Sequence, residues 1–410
     1  MASTDFSLAE RGHSPSLRIA LVTETYPPEV NGVAMTLGRM VQGLIDRNHR
    51  IQLIRPRQAP GERPALRAGF EEVLTHGLPI PRYDGLRFGL PARAALIRQW
   101  RRQRPDLVHV ATEGPLGWSA VSAARALRLP VTSDFHTNFD HYSRHYGIGW
   151  LRQPVAGYLR RFHNRTARTF VPTAAMAAQL CGQGYEGLEV IARGVDTALF
   201  SPTRRSEALR ATWGLNPDDL AVVSVGRVAP EKNLPLTLAA FDAIRQHRPD
   251  ARLVVVGDGP LRAALERQHP DHHFAGMRRG EDLAAHYASA DLFLFPSLTE
   301  TYGNVTLEAM ASGLPVVAYA DAAAAEVIAS GINGVTVPPG DASAFIAAAA
   351  ELAGDPSRYR RLGAAARTKT ETLDWDRIND RFVAALLEAS RPSGLPQRPA
   401  LLKPALRQEV

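Results

Sequence analysis

Glu300 and Glu308, with seven residues between them, stand in the stretch DLFLFPSLTETYGNVTLEAMASGLPVVAY, Asp291–Tyr319. Its pattern predicts an apolar strand over 291–297, a polar turn, a short helix from about Asn304 to Ser312, and a second strand over 316–319. Gly313 stops that helix and Pro315 forbids its continuation. Both carboxylates then lie at one edge, with the backbone N–H groups of Gly303, Asn304 and Val305 between them. A helix start leaves its first donors unpaired and attracts anions, phosphate above all. Carboxylates that grip hydroxyls beside a phosphate-binding helix end are what a sugar-nucleotide site requires.

Other stretches carry compatible chemistry. VGRVAPEKN (225–233) follows an apolar strand and sets Arg227 and Lys232 across one turn, a fork and a point charge for a diphosphate. The chain has only three lysines against 45 arginines, so a lysine here points to a local need. GDGP (257–260), with Gly257, closes the next strand as a tight turn, and Arg278 follows in AGMRRGEDL. In the first half, YPPEVNGVAMTL opens a helix through Asn31, Gly32 and Val33, where Gly32 allows close backbone approach. SDFHTNFDHYSRHYG (133–147) gathers Asp134, His136, Asn138, Tyr142 and His145 at a strand end, poor material for a core. Glu113–Gly114 ends the preceding strand. The only D-x-D, Asp374 to Asp376, reads as a helix cap, and no zinc-like spacing is present.

These motifs need elements to hold them. Short apolar strands are predicted at 17–26, 51–57, 105–112, 129–137 and 168–173, with helices such as Val33–Asn48 and Leu116–Leu127 between them. The pattern restarts at 220–228, 252–259, 290–297 and 314–320. Continuous apolar strands alternating with helices imply parallel sheets covered on both faces, an α/β chain of two Rossmann-like domains. The expected division is a disordered lead (1–15), a first domain (16–195) and a second (196–375). A helix (376–390) crosses back, and a disordered Pro-rich tail follows (391–410).

The segment around Glu300 and Glu308 resembles the E-x7-E signature of the retaining GT-B glycosyltransferases, group 1, family 4, and the resemblance extends over most of the chain. It implies that Arg227 and Lys232 neutralise the diphosphate leaving group, that Glu308 holds the ribose and that Glu300 holds the donor sugar. The turn at Gly257 and Arg278 then borders the base, while Gly32 and His136 face the sugar from the first domain. It implies same-face attack assisted by the leaving phosphate, and neither a catalytic metal nor a cofactor beyond the donor. NGVAMTL and TNFDHYSRHYG look most like bacterial GDP-mannose-dependent α-mannosyltransferases with lipid or glycan acceptors. They also resemble UDP-sugar-dependent glucosyl- and sulfoquinovosyl-diacylglycerol synthases. A GT-B sugar-nucleotide epimerase is a further alternative, and no residue distinguishes guanine from uracil.

Bulk properties agree. The composition is that of a globular protein, 45% hydrophobic and 22% charged, without an apolar run of membrane-spanning length. Residues 1–195 hold 25 arginines, no lysine and 15 acidic residues, against a whole-chain charge of +7. The basic first half, with RQWRRQR (98–104) and RRFHNRTAR (160–168), suits an anionic lipid or glycan. Nucleic acid is not expected, because the clusters lack interleaved aromatics. The expected location is cytoplasmic, with peripheral contact at the inner face of the plasma membrane. The single Cys181 reads as a small buried residue.

Overall fold

The computed structural model describes residues 15–29, 31–79, 87–136, 152–300 and 302–391. All of the expected lead but Pro15 and all of the tail but Arg391, together with Asn138, Tyr142 and His145, lie outside those residues. In the first half the strands are β1 (Arg18–Val22), β2 (Arg50–Pro56), β3 (Leu66–Arg67), β4 (Phe70–Thr75), β5 (Gly77–Pro79), β6 (Arg87–Gly89), β7 (Leu107–Val110), β8 (Val131–Asp134), β9 (Arg168–Val171) and β10 (Leu188–Val190). All but β5 and β6 form one sheet in the order β10-β9-β8-β7-β1-β2-β4-β3, parallel except for β3. The second half contributes β11 (Ala221–Val225), β12 (Arg252–Val256), β13 (His273–Gly276), β14 (Leu292–Phe295), β15 (Val316–Tyr319) and β16 (Val335–Val337). These form a parallel sheet in the order β13-β12-β11-β14-β15-β16.

Alternation along the strands explains both cores. Ile19 and Leu21 face one way, with Leu53 and Leu107, against the helices Gly32–Asp46 and Trp375–Ser390. Ala20 and Val22 face the other way, with Ile54, Val108 and Val110, against the helix Pro115–Ala126. In the second sheet, Val223, Val225, Phe293 and Phe295 fill one face and Val222, Leu292, Leu294 and Val317 the other. Each buried Val, Leu, Ile or Phe among these contributes roughly 1.5–3 kcal/mol.

The helix Trp375–Ser390 follows the second sheet in sequence but packs on the first. Phe382 meets the His109 ring edge-on at 5.3 Å, and Asp380 pairs with Arg47 at 2.7 Å. Asp374 caps it, accepting from the Asp376 amide at 2.9 Å.

The observed strands are shorter than the apolar runs suggest, and the difference has consequences. β1 ends at Val22 instead of continuing to Tyr26, because Thr23 turns the chain through hydrogen bonds between its hydroxyl and Thr25. Glu24 and Tyr26 are thereby delivered into a loop at the carboxyl end of the sheet. The short strands β3 to β6 fall where the sequence is polar and broken by Pro and Gly, and apolar runs could not reveal them. Cys181 is exposed, contrary to the buried reading: its helix, Ala174–Gly182, turns Met176 and Leu180 inward and leaves the thiol outside.

Candidate active site

The strand order of the second sheet reverses between β11 and β14, and open parallel sheets bind ligands beyond the carboxyl ends of the strands at such a point. The loop after β11 carries Arg227 and Lys232, and the loop after β14 carries Glu300 and Gly303. Hydrogen bonds tie the two loops: the Leu298 amide (2.9 Å) and the Ser297 hydroxyl (3.3 Å) both donate to the Glu231 carbonyl. Gly257 supports them from β12. A Cβ there would stand 1.9 Å from the Gly226 carbonyl oxygen, so glycine lets the two turns touch. That contact sets the Arg227 loop, while Gly257 itself needs no ligand to explain it.

Lys232 and Glu300, assigned from sequence to opposite ends of one donor, form an ion pair here, with side chains 19% and 17% exposed. The same Glu300 oxygen accepts from the Ser297 hydroxyl at 2.8 Å, and the Lys232 ammonium lies 5.5 Å from the Phe295 ring centre. Arg227 is freer, half exposed and 3.8 Å from Glu231. Gly303, at φ +90°, starts the helix Asn304–Ala311, which has no side-chain cap. Among the described residues, the amides of Gly303, Asn304 and Val305 donate to no protein acceptor. Lys232 and the start of this helix at Gly303 therefore meet at the Glu300 carboxylate. Arg278 is held elsewhere, at the end of β13, by the Ala275 carbonyl (3.0 Å) and Asp282 (3.1 Å).

Glu308 lies a turn inside the helix and accepts from the Tyr287 hydroxyl at 3.0 Å. Burial pushes its carboxyl up to about 7, with the Tyr287 hydrogen bond opposing. Its contribution to stability is complete at low pH and is lost as pH rises through about 7, because the folded state holds the proton longer than the unfolded chain. An ionised carboxylate accepts ribose hydroxyls more strongly than a protonated one, so nucleotide affinity is expected to fall as pH drops below about 7. Calorimetric titration with GDP at about pH 8 and about pH 6 checks this. Glu308→Gln should bind more weakly at about pH 8 and show a smaller pH dependence than the wild type; equal affinity of the variant and the wild type at about pH 8 would exclude the ribose role.

The first sheet presents its carboxyl end through the loops after β1, β7 and β8. Asn31 caps the helix Gly32–Asp46 by accepting from the Ala34 amide at 2.8 Å, so fewer of its amides are free than the sequence suggests. A Cβ on Gly32 would meet nothing within 4 Å, so the protein's own packing does not require glycine there. His136 is buried, its Nε2 3.1 Å from Asp134 Oδ2 but without a hydrogen-bond partner. Asp134 also meets His109 Nε2 at 3.1 Å. Burial alone would raise the Asp134 carboxyl, but His109 and His136 more than reverse this and hold it well below the usual carboxylate range. The Glu113 carbonyl accepts from the Tyr158 hydroxyl at 2.6 Å, and Gly114 leaves room for the Glu24 carboxylate, 2.1 Å from where a Cβ would stand.

Three residues in this region were missed by motif reading. Glu24 is pushed up to about 7 by burial, with the Leu116 and Gly89 amides opposing and Glu113 adding to the rise. An acid directly after an apolar strand was its available signal. Arg193 is buried and bonded to Thr36 (2.9 Å) and His136 (3.0 Å), and its carbonyl accepts from the Tyr302 hydroxyl at 3.2 Å. In sequence it is one more arginine in a hinge. Tyr302 is hidden inside the E-x7-E stretch, where only the glutamates stand out. Among the described residues, no three His, Cys, Asp or Glu side chains form a metal-binding group, and no helix is long and apolar enough to cross a membrane.

Comparison with known proteins accounts for this arrangement. Residues 30–199 match the Glycosyltransferase Family 4 model and residues 219–355 match the model for glycosyl transferases group 1. The GDP-mannose-dependent alpha-mannosyltransferase of Corynebacterium glutamicum is 33% identical, over 90% of this chain and 86% of its own. The Mycobacterium tuberculosis protein of the same description is 34% identical, over 90% of this chain and 95% of its own. Among solved structures, sucrose-phosphate synthase from Thermosynechococcus elongatus superposes with a TM-score of 0.73 at 19% identity, over 91% of this chain and 98% of that one. The two sheets are thus the halves of a GT-B fold, and the chain belongs to the group 1, family 4 glycosyltransferases, enzymes that move a hexosyl group from a nucleotide-sugar donor to a glycan or lipid acceptor.

Proposed function

We propose that this enzyme transfers an α-mannosyl residue from GDP-mannose, with retention, to a hydroxyl of a lipid-linked or glycan acceptor. The observation that carries the proposal is the meeting of Lys232, Glu300 and the open amides of Gly303–Val305 at the switch point of the second sheet. Similarity to GDP-mannose-dependent enzymes over nine tenths of the chain supports the choice of donor.

In this reading the nucleotide lies on the second sheet with its ribose on Glu308 and its base toward Gly257 and Arg278. Arg227, Lys232 and the amides receive the diphosphate. As the bond from the sugar C1 to the phosphate oxygen breaks, its electron pair passes to that oxygen, where fixed positive charge stabilises it. The acceptor oxygen bonds to C1 on the same face and gives its proton to the departing phosphate. Glu300 grips the sugar's hydroxyls, and His136 and Gly32 close the far wall. No metal has a role in these steps. The acceptor approaches between the first-sheet loops, near Glu24 and Glu113. The arginine-rich first half suits contact with an anionic membrane surface from the cytoplasmic side.

The test is transfer itself. The enzyme is incubated separately with labelled GDP-mannose and UDP-glucose, with a bacterial membrane-lipid extract or a soluble glycan pool as acceptor. Label from GDP-mannose should enter an α-linked product in one of the two pools. Transfer from UDP-glucose alone would replace the donor, and conversion of either donor to a sugar-nucleotide isomer without transfer would point to an epimerase.

A further inference from the structure

Arg193 lies in the segment between the two sheets and is 6% exposed, with no carboxylate within salt-bridge distance among the described residues. A buried cation without an ion pair is expensive, and burial accordingly pushes the guanidinium down from its usual value. Its contacts fall instead on the two first-sheet elements that face the sugar. One terminal nitrogen donates to the Thr36 hydroxyl at 2.9 Å and lies 3.5 Å from the Gly32 carbonyl. The other donates to His136 Nδ1 at 3.0 Å. On the opposite side, the Tyr302 ring is 5.8 Å from the guanidinium and its hydroxyl holds the Arg193 carbonyl.

An arginine only donates, so the His136 nitrogen facing it must carry the lone pair. The ring proton is thereby placed on Nε2, which lies 3.1 Å from Asp134 Oδ2 but is not aligned for a hydrogen bond to it. We propose that Arg193 is a positioning residue for the transfer reaction: it fixes His136 as the Nε2–H tautomer and clamps it to the Gly32 loop, leaving that N–H to a donor-sugar oxygen. The groups facing the imidazole are Arg193 on one side and Asp134, itself bound to His109, on the other. This inference rests on the proposed contact between His136 and the sugar.

Histidine-selective 15N NMR of the ligand-free protein should show His136 protonated at Nε2 and bare at Nδ1. In Arg193→Met that signature should be lost. Hydrolysis of GDP-mannose, with water as acceptor, should fall about 100-fold in the variant, the usual cost of a misplaced wall. GDP affinity should stay within about threefold, because the nucleotide is held on the second sheet. Arg193→Lys keeps a charge but not the fork, and should show the same loss if the methionine variant folds poorly. His136→Ala should be similarly slow, and the double variant no slower than His136→Ala alone. An unchanged tautomer, additive losses, or GDP affinity falling in step with turnover would overturn the inference. Normal hydrolysis in His136→Ala would instead bring down the sugar contact on which it stands.

Discussion

Glu300→Gln should bind GDP as well as the wild type or better, yet turn over at least about 100-fold more slowly. The first half of that expectation comes from the ion pair. Lys232 is paired with Glu300, so a diphosphate must draw the ammonium away from a carboxylate before it gains full use of it. An amide in place of the carboxylate releases Lys232 in advance. The second half comes from the sugar. Hydrogen bonds to a charged acceptor are worth about 1.5–3 kcal/mol each, and two such bonds to hydroxyls that shift as the ring flattens account for about 100-fold or more. Folding should be intact, because the substitution preserves the side chain's volume and its oxygen can still accept from Ser297. Steady-state kinetics beside GDP titration gives the split. Near-normal turnover would remove Glu300 from the sugar site, and parallel loss of GDP binding would make it a structural residue.

Lys232→Ala should fail differently, losing both binding and chemistry. Without the ammonium, Glu300 keeps its charge beside the diphosphate, so repulsion is added to the loss of attraction. Negative charge on the leaving oxygen grows toward the transition state, and removing one fixed donor at such a position costs about 100- to 1000-fold in turnover. GDP affinity should fall by about tenfold or more. Lys232→Arg should recover part of the binding but little of the rate, since a planar fork cannot occupy the point position above Phe295. The double variant Lys232→Ala/Glu300→Gln should bind GDP better than Lys232→Ala alone, because the repulsive carboxylate is gone. Equal affinities for the two would deny that these side chains share one phosphate-facing site.

Much of this was legible in the sequence because glycine, proline and unbroken apolar runs have strong local meanings. The run LFLF ending in a polar turn, with Gly313 and Pro315 closing the following helix, was enough to place Glu300 at a strand end and Glu308 inside a helix. The scarcity of lysine singled out Lys232. Pair formation between Lys232 and Glu300 was not legible, since the two are 68 residues apart and meet only because β11 and β14 are neighbours. Arg193 was invisible for a related reason: its partners, Thr36 and His136, come from distant loops, and one arginine among 45 carries no signal. The exposed side of Cys181 depended on which face of a weakly amphipathic helix turned inward.

The most direct measurement is a crystal structure with GDP-mannose or its non-hydrolysable analogue bound. The diphosphate should lie within hydrogen-bonding distance of Arg227, Lys232 and the Gly303–Val305 amides, the Lys232–Glu300 pair should be broken, and Glu300 should hold mannose hydroxyls. A nucleotide bound elsewhere, with Lys232 still resting on Glu300, would contradict the account.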